Sequence, residues 1–216
     1  RADDPQGRAA ALVLLGTVNQ HRAAFEEAIR DYQAAMQADP HLDDFYWVNM
    51  RIGICYLAIQ DCERAIQAFQ VCLERGTRTG ERVKTGWSLF NLADAFLLLG
   101  RPAQAEAALE RARTLFEEVG TPLGVLCSYY GLGRTALALG KPERARELAA
   151  KAGVLAGKIH SSLWAERVDA LSRQLGSGRP APAPAAGPAL PEPLSPRELE
   201  VLQLLKTDLS GPEIAS

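Results

Sequence analysis

Leu139-Gly140-Lys141-Pro142-Glu143-Arg144-Ala145 lies 40 residues after Leu99-Gly100-Arg101-Pro102-Ala103-Gln104-Ala105. Leucine, glycine, proline and alanine hold the same places in both. A coincidence at a fixed period of this length marks an internal repeat, and a repeat must be identified before any other element. Extending the frame upstream places small residues at Ala28, Ala65, Ala105 and Ala145. Larger apolar residues follow at Tyr32, Phe69 and Leu109, with Ala149 last, and small ones return at Ala35, Cys72, Ala112 and Ala152.

The segments before each of these share a register of their own: Leu15-Gly16, Ile52-Gly53, Leu92-Ala93 and Leu132-Gly133. Four units result, with spacings of 37, 40 and 40 residues between the marker alanines at 28, 65, 105 and 145. Apolar residues at steps of three and four within each unit predict helices. Each unit therefore reads as two antiparallel helices. Gly and Ala fall where the two rods cross most closely, because a larger side chain there would push the axes apart.

This pattern resembles the tetratricopeptide repeat, with its Leu-Gly pair, aromatic, and later Ala, aromatic and Ala positions. Tyr56 and Phe96 match the aromatic of the first helix, whereas Asn19 and Ala136 depart from it; Pro40 matches the terminal proline that the later units lack. The resemblance implies an all-α fold, a superhelical solenoid of helix pairs. The usual period is about 34 residues, so the longer one here implies either helices extended by about a turn or longer loops. The expected organisation is a lead-in or the end of an upstream repeat over 1–8, four repeats over 9–159, a capping helix over 160–176 and a Pro/Ala-rich linker over 177–193. A closing helix is expected because the last repeat would otherwise leave an apolar face in water. The linker, SGRPAPAPAAGPALPEP, has no apolar periodicity and reads as a semi-rigid extended spacer.

The last stretch, 194–216, reads LSPRELEVLQLLKTDLSGPEIAS. Ser195, Pro196 and Glu198 form a helix start, and Ser210 with Glu213 repeats the hydroxyl-to-carboxylate spacing around Pro212. Two helices joined by a short turn are the opening of a helix-turn-helix. Ser195, Arg197, Glu198, Glu200, Leu202, Ser210, Glu213 and Ile214 fall into a pattern that resembles the start of the LuxR-type DNA-binding domain. Pro212 stands where that family often has a lysine, and the sequence stops before the recognition helix that would enter the major groove. The alternative is a solvated amphipathic hairpin.

Composition is that of an ordinary globular chain: 216 residues, 47% hydrophobic, 23% charged, net charge −2. Such a balance does not advertise nucleic acid, so a DNA footprint would have to come from residues beyond Ser216. Cys55, Cys62, Cys72 and Cys127 form no C-x-x-C pair, and His21, His41 and His160 lie far apart, so neither a metal nor any other cofactor is expected. Lacking a membrane-length apolar run, the chain reads as cytoplasmic with free thiols. Starting at Arg1 and ending in mid-motif, it reads as a piece of a longer protein.

In the resembled family the first helix of each pair lines a concave face. Carried onto this chain, that face collects Trp47, Met50, Trp87, Phe90, Asp94, Tyr130 and Arg134. Large aromatic rings can anchor a partner, though extended helices could equally bury them. Asp94 and Arg134 share a register in consecutive units, which predicts an ion pair. The basic clamp that some tetratricopeptide modules use on a partner's terminal carboxylate is missing: Val13, Thr17, Cys127 and Gly131 occupy its places and only Asn91 fits. Ser128 to Thr135 imitates a phosphate-binding loop only superficially, with Ser128 for its first glycine and Arg134 for its lysine. No nucleophile sits in an elbow motif, so no enzyme is expected within these residues.

The whole is expected to be part of a bacterial LuxR-type transcriptional regulator. The array would receive a protein partner, a small-molecule inducer or a second copy, and the completed helix-turn-helix would bind DNA, without membrane contact. In the large ATP-dependent members an ATPase domain precedes the repeats, and would here lie upstream of Arg1. The alternative is a tetratricopeptide protein-interaction scaffold without DNA binding.

Overall fold

In the computed structural model, residues 4–39 and 45–177 are described. The helix-turn-helix residues from Ser195 to Ile214, and nearly all of the expected linker, lie outside them. The described residues are all-α, with no strand. Up to Ile59 the chain forms one compact unit of three helices, α1 (Pro5–His21), α2 (Phe25–Ala38) and α3 (Phe45–Ala58). From Gln60 a second unit holds α4 (Cys62–Thr79), α5 (Arg82–Leu98), α6 (Pro102–Glu118), α7 (Pro122–Ala138), α8 (Pro142–Lys158) and α9 (Ser162–Ser177).

One boundary differs from the sequence reading at each end. The stretch taken as a lead-in over 1–8 is helical from Pro5, because Asp4 caps it: its carboxylate accepts the Gly7 amide at 2.8 Å and Pro5 occupies the first turn. The capping helix expected over 160–176 runs over Ser162–Ser177 as α9, one residue past its expected end.

The extra length of each repeat lies in the helices. Helices α5, α6, α7 and α8 each span 17 residues, and the connections between them are short turns. Each turn is built the same way. At the end of α5 the Gly100 amide donates to Leu97 at 3.0 Å and the Arg101 amide to Phe96 at 2.8 Å. At the end of α7 the Gly140 amide donates to Leu137 at 3.0 Å and the Lys141 amide to Ala136 at 2.8 Å. This paired closure uses the helix's last free carbonyls and needs one left-handed residue. Left-handed residues accordingly stand at Gln60, Gly80, Gly100, Gly120, Gly140 and His160, with φ between 53° and 72°. After each comes a helix start, marked by Pro102, Pro122 or Pro142 in three cases.

Packing follows the register read from the sequence. Ala28, Ala65, Ala105 and Ala145 are completely buried, as are Tyr32, Phe69, Ala35, Cys72, Ala112 and Ala152. In the first unit the Tyr32 ring lies against Gly16, where a Cβ would stand 2.8 Å from the ring. Its hydroxyl reaches Gln20 Oε1 at 2.9 Å and Thr17 Oγ1 at 3.2 Å. In the second unit Phe116 is the keystone. Its fully buried ring is wedged between two glycines: a Cβ on Gly86 of α5 would lie 2.7 Å from it, and one on Gly124 of α7 only 2.3 Å. Moved on by one period, the positions of Phe116 and Gly124 become Ala156 and Trp164, so the large and small members trade places.

Candidate partner-binding face

Within the second unit the first helices of successive pairs, α5 and α7, touch one another, and so do α7 and α9. Their shared side carries the candidate site, and its composition follows from helical spacing. Tyr130 and Arg134 are four residues apart on α7 and project from one face, while Asp94 on α5 stands one period before Arg134. Arg134 Nη1 donates to Asp94 Oδ1 at 2.6 Å, with both side chains less than a third exposed. Burial, the largest single influence, works against the Arg134 charge, but Asp94 and Tyr130 together offset it, leaving the guanidinium held above its ordinary pKa. A pair this enclosed is worth roughly 1–2 kcal/mol, between the values typical of exposed and of fully buried pairs.

Around that pair the structure assembles an aromatic and cationic cluster. Arg134 lies 5.7 Å from the Tyr130 ring centroid, and Tyr130 meets Trp164 of α9 edge-on at 5.5 Å. Arg167, one turn further along α9, stacks on Trp164 at 4.8 Å. Such contacts between guanidinium and ring contribute about 0.5–2 kcal/mol each. Trp164 itself is buried, while Tyr130, Arg134, Asp94 and Arg167 are half-buried, so the polar edge of the cluster faces solvent. Beneath it, burial pushes the Cys127 thiol well above its usual value, more than the nearby Arg167 lowers it.

Of the seven face residues read from the sequence, this cluster brings together Asp94, Tyr130 and Arg134. Met50, Trp87 and Phe90 are buried and cannot meet a partner directly. The reason for Trp87 is visible: its ring lies 4.9 Å from Phe116 on α6 and 5.9 Å from Phe90, so it points between the helix layers. Trp47, in the first unit, is half-buried beside Tyr46 at 5.1 Å. Sequence reading missed Trp164 and Arg167 as site residues because α9 was taken only as a cap. The signal was present: residues 122 and 162 begin α7 and α9 at the same 40-residue offset as the repeats before them.

Asn91, Ser128 and Thr135 each hydrogen-bond within their own helix. Asn91 donates its amide to Trp87 at 2.9 Å, so it does not face a partner's carboxylate. Ser128 and Thr135 lie inside α7 and donate to Gly124 and Gly131, each at 2.9 Å, as ordinary helix residues rather than a phosphate loop. The four cysteines are buried, and burial raises Cys55 and Cys72 to about 12, which leaves both as unreactive thiols. Among the described residues no three His, Cys, Asp or Glu side chains converge as metal ligands, and no helix is long and apolar enough to cross a membrane.

Paired helices of this register, closed by turns of one kind, give the described residues a tetratricopeptide-like helical-repeat fold. Comparison with known families agrees: tetratricopeptide repeat profiles match residues 44–118 and 128–151, and neither match reaches 194–216. No curated protein matches the chain significantly. Among solved structures it is similar to the crystal structure of aspartyl phosphate phosphatase F from Bacillus subtilis, with a TM-score of 0.70 and 17% identity over 82% of this chain. The likeness is one of fold, and this chain covers 47% of that protein's length.

Proposed function

We propose that this chain is a protein-interaction scaffold whose binding surface is the first-helix side of α5, α7 and α9. The observation that carries the reading is the cluster of half-buried Tyr130, Arg134 and Arg167 around the buried Trp164, drawn from two helices 40 residues apart. Aromatic and arginine side chains are enriched among the residues that dominate protein interfaces, the rings because they offer wide contact area for few rotatable bonds and arginine because its fork makes several directed hydrogen bonds. Repeat arrays present such residues on rigid helices, so little order is lost on binding. A random peptide library displayed against the whole chain tests this. Selected peptides should slow backbone hydrogen exchange along α5, α7 and α9; protection confined to α4, α6 and α8 would sink the proposal.

A second reading rests on the sequence of 194–216, where Ser195, Arg197, Glu198, Glu200, Leu202, Ser210, Glu213 and Ile214 resemble the opening of a LuxR-type domain. In that reading the scaffold is the receiver of a transcriptional regulator, and a partner, inducer or second copy bound to it changes the pairing of DNA-binding modules. Reading the gene about forty codons past Ser216 discriminates: a basic third helix supports regulation, and an immediate stop leaves the scaffold alone.

A further inference from the structure

The second unit neutralises one inner-face arginine and leaves the next without a carboxylate. Arg134 of α7 is met by Asp94 of α5 at 2.6 Å. Arg167 of α9 has no carboxylate within ion-pair distance among the described residues, although it sits on the same face and is half-buried. One and two periods earlier, its register places hold Cys127 and Trp87, both buried and neither able to supply a negative charge at neutral pH. The Arg167 guanidinium carbon stands 4.8 Å from the Trp164 ring centroid, so the ring covers one side of the charged group. Its forked donors have no carboxylate of this unit to meet among the described residues, and a partner's carboxylate matches such a fork in two parallel hydrogen bonds.

Resting on the partner-face reading above, we infer that Arg167 is a carboxylate-reading position, and that the partner segment bound across α7 and α9 carries an Asp or Glu side chain opposite it. The Tyr130 ring, edge-on to Trp164, forms the adjoining wall of the site. The Asp94–Arg134 pair then sets selectivity. Asp94 satisfies Arg134 from within the chain, so an acidic segment is drawn to Arg167 rather than to a diffuse positive surface. A phosphate group could meet the same fork, yet the flat, single-guanidinium geometry fits a planar carboxylate. An anion of higher charge is normally held by several cations, and the second one here is already paired.

The test uses the same displayed library, selected in parallel on the whole chain and on its Arg167→Gln and Arg167→Lys variants. Gln keeps a stem over Trp164, so thermal melts of all three should agree within a few degrees. Asp and Glu together should be enriched about fivefold or more at one fixed position of the wild-type winners, and this enrichment should vanish with Arg167→Gln and survive in part with Arg167→Lys. A synthetic winner should lose about tenfold in affinity when that one residue is changed to Asn or Gln, and the loss should disappear on the Arg167→Gln chain. Winners that protect α5, α7 and α9 without an acidic preference would overturn the inference while leaving the face intact. Winners that map elsewhere would overturn both. If 10 mM inorganic phosphate displaces the peptide where 10 mM chloride does not, or phosphoserine outperforms Glu at the fixed position of the synthetic winner, the carboxylate assignment is wrong.

Discussion

Substituting Gly124 by Ala probes the packing on which the second unit turns. The added Cβ would stand 2.3 Å from Phe116 Cγ and 2.4 Å from Cδ1. Carbon atoms in contact prefer about 3.5–4.0 Å, so the overlap exceeds an ångström. Phe116 cannot retreat, since it is fully buried, Gly86 closes its other side at 2.7 Å and Trp87 lies 4.9 Å away. Overpacking of this kind costs roughly 1–3 kcal/mol. The better helix propensity of alanine returns at most about 1 kcal/mol, and less near a helix start such as this. The expected net loss is about 1–2 kcal/mol, a fall in Tm of about 2–8 °C for a chain of this size. Urea titration followed by far-ultraviolet circular dichroism measures it.

Gly153→Ala is the matched control. It sits inside α8 with the new Cβ at an ordinary 3.6 Å from Val168, so the same change should stabilise by up to about 1 kcal/mol. Phe116→Leu should restore part of the loss when combined with Gly124→Ala. If Gly124→Ala unfolds at or above the wild-type midpoint, or the double variant merely adds two losses, the wedge does not organise this unit.

Other expectations follow from single contacts. Tyr32→Phe removes the buried hydroxyl that meets Gln20 and Thr17 and should cost about 1–3 kcal/mol in the same titration. Asp94→Asn should cost about 1–2 kcal/mol, and a double-mutant cycle with Arg134→Gln should show coupling of similar size rather than simple addition. His160→Gly should stabilise by roughly 0.5–1 kcal/mol, since a residue at φ 53° carries a Cβ penalty that glycine lacks. Alkaline stability reports on Cys72, whose thiol is raised from 9.0 to about 12 by burial. The unfolded chain loses that proton near pH 9 while the folded one keeps it, so stability falls by about 1.4 kcal/mol per pH unit from there until the folded thiol also ionises. Cys72→Ala should therefore lie below the wild type at pH 7 and recover about 2 kcal/mol of the difference by pH 10.5.

The fold was legible wherever one rule applied at every period. The alanines at 28, 65, 105 and 145 are small because each lies at a helix crossing, and all four are buried completely. Whether the long period meant longer rods or longer loops could not be read, because a leucine-glycine turn looks the same in either case. The Phe116 wedge was hidden because it occurs in one unit only and joins a second helix to the first helix of the next pair. Of the face, the Asp94–Arg134 pair was readable from its 40-residue offset. The fate of Trp87 and Phe90 was not: helical spacing assigns a side, and only the neighbouring Phe116 decides that the Trp87 ring turns inward.

The left-handed positions at 60, 80, 100, 120, 140 and 160 carry a consequence for how such a protein can change size. An identical joint every twenty residues makes one rod mechanically interchangeable with the next, yet adding a single rod would put every lining residue downstream onto the back. Growth or loss that preserves the wall is therefore quantised in blocks of forty. Within that rule a gene can lengthen its recognition surface by duplication without inventing a new hinge.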